Sequence, residues 1–143
     1  MDQSNFKVFV VDDDQFTLSW YAQYIGNLGS YDVTSFDNSL ACLNNLTQEP
    51  NIIFLDHRMD NLSGLEVLRK IKRFNPNIYV VFISGQEDIQ VAVNALKLGA
   101  FDYIIKGEGD LQKIADVLKR ISDIQNLLQN RSGGFFSRIL SLM

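Results

Sequence analysis

Four apolar runs in this chain end in side chains that can do chemistry. Phe6-Lys7-Val8-Phe9-Val10-Val11 runs into Asp12 and Asp13, and Asn51-Ile52-Ile53-Phe54-Leu55 runs into Asp56. A later run closes on Ser84, and the last on Lys106. Apolar runs of this length read as buried strands, and the carboxyl edge of an open α/β sheet is where ligands bind, so the run ends can meet in one pocket. Three carboxylates gathered at one edge repel one another, and a divalent cation is the natural way to keep them ionised and close. Mg²⁺ suits few carboxylates, several waters and phosphate oxygens, whereas Ca²⁺ wants a denser oxygen cage. Lys106 and the Ser84 hydroxyl then supply a cation and a donor to the equatorial oxygens of a transferring phosphoryl group, with Asp56 as the nucleophile. Gly85 leaves room for a bulky group beside Ser84.

The elements that must position these residues alternate in type. Strand-like runs fall at 6–11, 31–36, 52–55, 78–83 and 101–105, separated by segments whose apolar residues recur at helical spacing. Leu18, Ala22, Ile25 and Leu28 form the first helical stripe, stopped by Gly29 as a C-terminal cap. A short helix is expected near 38–47, and a third carries Leu65, Leu68 and Ile71 and ends before Asn75-Pro76. A fourth covers 87–98, and a fifth, with Asp110 as N-cap and Leu111, Ile114, Leu118, Ile121 and Leu128 as its stripe, ends near 129. Five βα repeats imply a mostly parallel sheet covered on both faces by helices. The runs at 52–55 and 78–83 are apolar throughout, as central strands should be.

Composition bounds the rest. A chain of 143 residues, 46% hydrophobic and 21% charged, suits one globular domain with a real core. Its net charge of −4 weighs against binding of nucleic-acid backbones. The lone Cys42 sits in an apolar setting and reads as a small core residue, with a reducing compartment expected. The first residues have no leader pattern and no apolar run reaches spanning length, so a cytoplasmic location is expected. At Asn130-Arg131-Ser132-Gly133-Gly134 the composition shifts. A single globular unit over 1–129 is therefore expected, then a flexible joint and a short apolar tail within 130–143 that packs back, docks a partner or, less favourably, meets a membrane interface.

The order Val10-Val11-Asp12-Asp13, Leu55-Asp56, Ile83-Ser84-Gly85 and Asp102-Tyr103-Ile104-Ile105-Lys106 closely resembles the response regulator receiver domain of two-component systems, over residues 6 to about 125. The resemblance implies a flavodoxin-like fold with strand order 2-1-3-4-5. It implies that Asp56 accepts a phosphoryl group from a sensor histidine kinase or phosphotransfer protein, and that Asp12, Asp13, Asp56 and the backbone carbonyl of Arg58 hold Mg²⁺. It implies that Ser84 and Lys106 contact the phosphoryl oxygens, and that Ser84 and Tyr103 move together as a switch read by a protein target at the face of helix 4, strand 5 and helix 5. Such a protein is no enzyme beyond its own phosphorylation and dephosphorylation. The resemblance leaves homodimerisation open.

Some positions depart from the pattern. Asp60 stands where a proline is usual, Ser63 where an acid is common, and Gly107 replaces the proline after the lysine, removing the usual reason for a cis peptide. Arg58 and Gln86 occupy positions that modulate phosphoryl lifetime in this family. Asp14 reads as a helix cap, and His57, although beside Asp56, leaves the strand on the other side and reads as a packing residue. Two rivals remain: a haloacid dehalogenase-type phosphatase using Asp12 and Asp14, and a receiver-like interaction module that works without phosphorylation.

Overall fold

The structure is a computed structural model describing residues 6–58, 62–85 and 89–142, with the backbone alone from residue 130 onward. Strands β1 (Phe6–Val11), β2 (Tyr31–Phe36), β3 (Ile52–Leu55), β4 (Tyr79–Ser84) and β5 (Asp102–Ile105) pair in parallel in the order 2-1-3-4-5. Between and after them run α1 (Gln15–Leu28), α2 (Ser39–Leu43), a 3₁₀ turn (Leu46–Gln48), α3 (Gly64–Phe74), α4 (Ile89–Lys97) and α5 (Asp110–Leu142). The expected flavodoxin-like α/β fold is what forms.

Each central strand is buried because both of its faces are covered. Every residue of β3 is buried, and β4 is buried from Val80 to Ser84, as their unbroken apolar character requires. On one face Val8, Val10, Phe54 and Ile83 pack against Leu18 and Ile25 of α1 and Ile114 and Leu118 of α5. On the other, Phe9, Ile53, Leu55 and Phe82 pack against Cys42 of α2, Leu68 and Ile71 of α3 and Ala95 of α4. Cys42 is fully buried, and burial pushes its thiol up to about 12, which keeps it inert.

Side-chain caps set most helix starts. Asp14, Asn38 and Ser63 accept from the backbone N–H groups of Thr17, Ala41 and Glu66 respectively. Ser63 and Glu66 thus begin α3 with the residue spacing of a capping box. At the entry to α3 the chain passes so close to itself that glycine is required. A Cβ on Gly64 would stand 2.9 Å from His57 Cα and 3.3 Å from the Phe82 ring.

Three details differ from the sequence expectations. In α1 the buried side chains are Leu18, Tyr21 and Ile25, with Leu28 exposed at the last turn, so the inward stripe runs through a tyrosine. A buried tyrosine needs a partner for its hydroxyl, and Tyr21 finds one in Asp110 at 2.6 Å. Gly29 does cap α1, but in extended rather than left-handed backbone. The largest difference is at the end of the chain, where α5 does not stop near 129 but continues through Gly133-Gly134 to Leu142. Each glycine costs about 1 kcal/mol of helix propensity relative to alanine without forbidding helical geometry. A helix already nucleated by its packed first half extends without paying the nucleation penalty. Within α3, Arg69, Lys70, Lys72 and Arg73 gather basic charge locally despite the net charge of −4. Lys72 is bound inward, donating to the carbonyls of Pro76 and Ile78.

Candidate functional site

The parallel register brings the four run ends to one edge. Val11 lies opposite Leu55, Leu55 opposite Phe82, and Ser84 opposite Ile105. One further residue on from three of these strands, the backbone is still tied across the sheet. Asp12 N–H donates to Phe36 O at 3.1 Å, Asp56 N–H to Val11 O at 3.0 Å, and Lys106 N–H to Ser84 O at 2.8 Å. The side chains of Asp12, Asp56 and Lys106 therefore leave from ordered backbone, which fixes their directions within the site.

Those side chains converge. Lys106 Nζ sits 2.8 Å from Asp12 Oδ2 and 3.2 Å from Asp56 Oδ2, bridging two carboxylates that are only 2% and 6% exposed. Asp13, the exposed member, completes a group in which one oxygen from each of the three acids lies within 4.8 Å of the others. The remaining oxygens are used too. Asp12 Oδ1 accepts from Asp14 N–H at 2.9 Å, and Asp56 Oδ1 from Arg58 N–H at 3.1 Å. Ser84 is fully buried at the end of β4, and beside it a Cβ on Gly85 would meet nothing within 4 Å.

The electrostatics follow from this crowding. Burial raises the Asp56 carboxyl above its ordinary value of 3.8; the Arg58 N–H and the Lys106 ammonium pull it down, and Asp12 pushes it up again. For Lys106, burial alone would favour the neutral amine, but hydrogen bonding to Asp12 and the charges of both carboxylates overcome it and hold the ammonium above 10.5. A single cation thus offsets two buried anions, with Asp13 as a third anion at the rim. An all-oxygen donor set with an excess of negative charge fits a small hard divalent cation.

The other residues singled out by the sequence lie around this group. Tyr103 is half-buried on β5, its ring 6.1 Å from that of Phe82. His57 stacks on Phe82 with ring centroids 6.0 Å apart and lies against Gly64, a packing position on the α3 side. Arg58 is exposed and enters the site through its backbone. Asp14 caps α1 through Thr17, whose hydrogen bonds also lower its carboxyl below 3.8. Asp60 and Gln86 lie outside the described residues. Sequence reasoning misses the contact between Tyr21 and Asp110, whose signal was a tyrosine on an apolar helical stripe. It also misses that Lys106 reaches both carboxylates directly.

Comparison with known proteins agrees with this geometry. Residues 8–119 match the family described as the response regulator receiver domain. Over 107 residues the chain is 36% identical to the response regulator protein TmoT of Ectopseudomonas mendocina, covering 74% of this chain and 48% of that one. It therefore spans about half the length of that relative. Among solved structures it resembles a response regulator receiver domain protein from Clostridium thermocellum, with a TM-score of 0.79 and 27% identity, covering 86% of this chain and 98% of that one. It also resembles the BeF3-activated receiver domain of DrrB from Thermotoga maritima, with a TM-score of 0.75 and 26% identity, covering 82% and 97%.

Proposed function

Since the chain belongs to the response regulator receiver domains of two-component signalling, we propose that it is a phosphoacceptor whose acceptor is Asp56. The observation that carries this is the Asp56 carboxylate itself. It is buried at the ligand edge of the sheet, 3.2 Å from an ammonium and within 4.8 Å of two further acids. In the transfer, an Asp56 oxygen attacks the phosphorus of a phosphohistidine on a sensor histidine kinase or phosphotransfer protein. The new P–O bond forms as the P–N bond breaks, and the imidazole nitrogen keeps the electron pair and takes a proton from solvent. Asp12, Asp13, Asp56 and the Arg58 carbonyl would hold Mg²⁺, and the Arg58 N–H bond to Asp56 supports that peptide's nearness to the site. When bound, the ion neutralises the charge that gathers on the transferring group. Lys106 is at hand to pair with a phosphoryl oxygen, and Ser84 to donate its hydroxyl to another.

The added charge then biases a two-state equilibrium. Ser84 moves toward the phosphoryl group and half-buried Tyr103 rotates inward, altering the face made by α4, β5 and α5. Exposed Ile89, Val93, Leu96 and Ile105 on that face support a protein target as its reader. We take residues 1–129 as the receiver unit, beyond which α5 runs on to Leu142. The phosphatase reading lacks support, because Asp14 is committed to the α1 cap. No helix among the described residues is long and apolar enough to cross a membrane.

The test is intact-mass measurement after incubation with acetyl phosphate and Mg²⁺. One Mg²⁺-dependent phosphoryl adduct is expected on the wild type and none on Asp56→Asn. No adduct on the wild type, or an undiminished one on the variant, overturns the proposal.

A further inference from the structure

Lys106 begins the turn that joins β5 to α5, and that turn is unusually permissive. Gly107 and Gly109 both have positive φ, at +132° and +82°. Glycine at such positions gives the chain freedom that must be removed elsewhere if the ammonium is to be held in place. The Lys106 N–H bond to Ser84 O holds the turn at its start, and the side chain that restrains it further on is the Asp110 carboxylate. Its Oδ2 accepts from Gly107 N–H at 3.2 Å, a donor that a proline there would lack, and from the Tyr21 hydroxyl at 2.6 Å, while Oδ1 accepts from Leu111 N–H at 2.8 Å. Tyr21 is a core residue of α1, so it ties the turn to a rigid element 89 residues away in sequence.

We infer that Tyr21 and Asp110 are positioning residues. Together they clamp the Gly107 amide and thereby fix the approach of Lys106 to Asp12 and Asp56, taking the part that a proline would play in a stiffer turn. The inference rests on the proposed role of Lys106 in phosphoryl transfer, but the clamp itself is tested without it. Tyr21→Phe keeps the ring in the core and removes the hydroxyl, and Asp110→Asn keeps the shape and removes the charge.

The experiment labels lysines of the intact folded protein with limiting acetic anhydride and maps them by mass spectrometry. Exposed Lys119 is the reference, and Lys72, bound to carbonyls on the far face of the sheet, reports general loosening. In both variants Lys106 labelling should rise about five-fold against Lys119, as expected for the loss of one net hydrogen bond, while Lys72 stays unchanged. Unchanged Lys106, or an equal rise at Lys72, overturns the inference, the second outcome marking a merely structural role. A parallel rate of Asp56 phosphorylation by acetyl phosphate should fall about five-fold in Tyr21→Phe, with Mg²⁺ affinity unaltered. A wild-type rate in that variant also overturns it. If the wild type takes no phosphoryl group, the preceding proposal fails while the labelling still decides the clamp.

Discussion

Replacing Lys106 by methionine keeps most of the side-chain volume and removes the one cation that bridges Asp12 and Asp56. The two ammonium contacts, at 2.8 and 3.2 Å, disappear, and two carboxylates that are almost wholly buried are left facing each other. With one oxygen of each no more than 4.8 Å from the other, two like charges repel by at least about 3 kcal/mol at an effective dielectric of about 20. Breaking a buried ion pair costs about 3–5 kcal/mol, and the 23% exposure of the Lys106 side chain reduces that. Uptake of a proton by one carboxylate limits the loss further. Metal-free Lys106→Met should therefore be less stable than the wild type by about 2–3 kcal/mol at neutral pH. Mg²⁺ should restore much of it, because a divalent cation relieves the repulsion that the lysine relieved. The assay is urea unfolding followed by the single tryptophan, Trp20, and by circular dichroism, in EDTA and in Mg²⁺. A loss of the same size in both buffers, or no loss in EDTA, refutes the reasoning.

Other consequences follow from the same contacts. Because the folded protein raises the Asp56 carboxyl above 3.8, its contribution to stability is full below that pH and is lost as pH rises through the folded value. Metal-free Asp56→Asn should then lack this loss as pH rises above 3.8, which pH-dependent urea midpoints will detect; parallel curves would contradict it. Gly64→Ala should cost about 1–3 kcal/mol, since its Cβ meets backbone at His57, and an unchanged urea midpoint would remove the argument for close approach. If α5 is helical through Gly133-Gly134, amides after residue 134 exchange slowly in the wild type. Gly134→Pro, about 3 kcal/mol worse than alanine inside a helix, should then speed their exchange; equally fast exchange in both proteins would mean no helix there.

Much of the fold was legible because the sheet is parallel and doubly covered. The unbroken runs before Asp56 and Ser84 announce central strands, and their chemical end residues are unlike ordinary loop residues. Polar satisfaction across long separations was not legible. Nothing in the local pattern around Tyr21 says that its hydroxyl will meet Asp110, and a stripe through Ala22 fits helical periodicity nearly as well. The end of α5 is hidden for a related reason. Gly133-Gly134 is a strong local signal for a joint, but a helix anchored by Ile114, Leu118 and Ile121 carries its order past a local weakness. The packing place of His57 against Phe82 is legible, because successive residues leaving a strand point to opposite sides.

The central claim is that the phosphoryl group resides on Asp56, and locating it chemically tests this most directly. Borohydride reduces an acyl phosphate to an alcohol, converting a phosphorylated aspartate into homoserine. After treatment with acetyl phosphate and Mg²⁺, the expected result is homoserine at residue 56 alone, absent when Mg²⁺ is withheld. Homoserine at Asp12 or Asp13 instead, or none at any residue, would contradict the account.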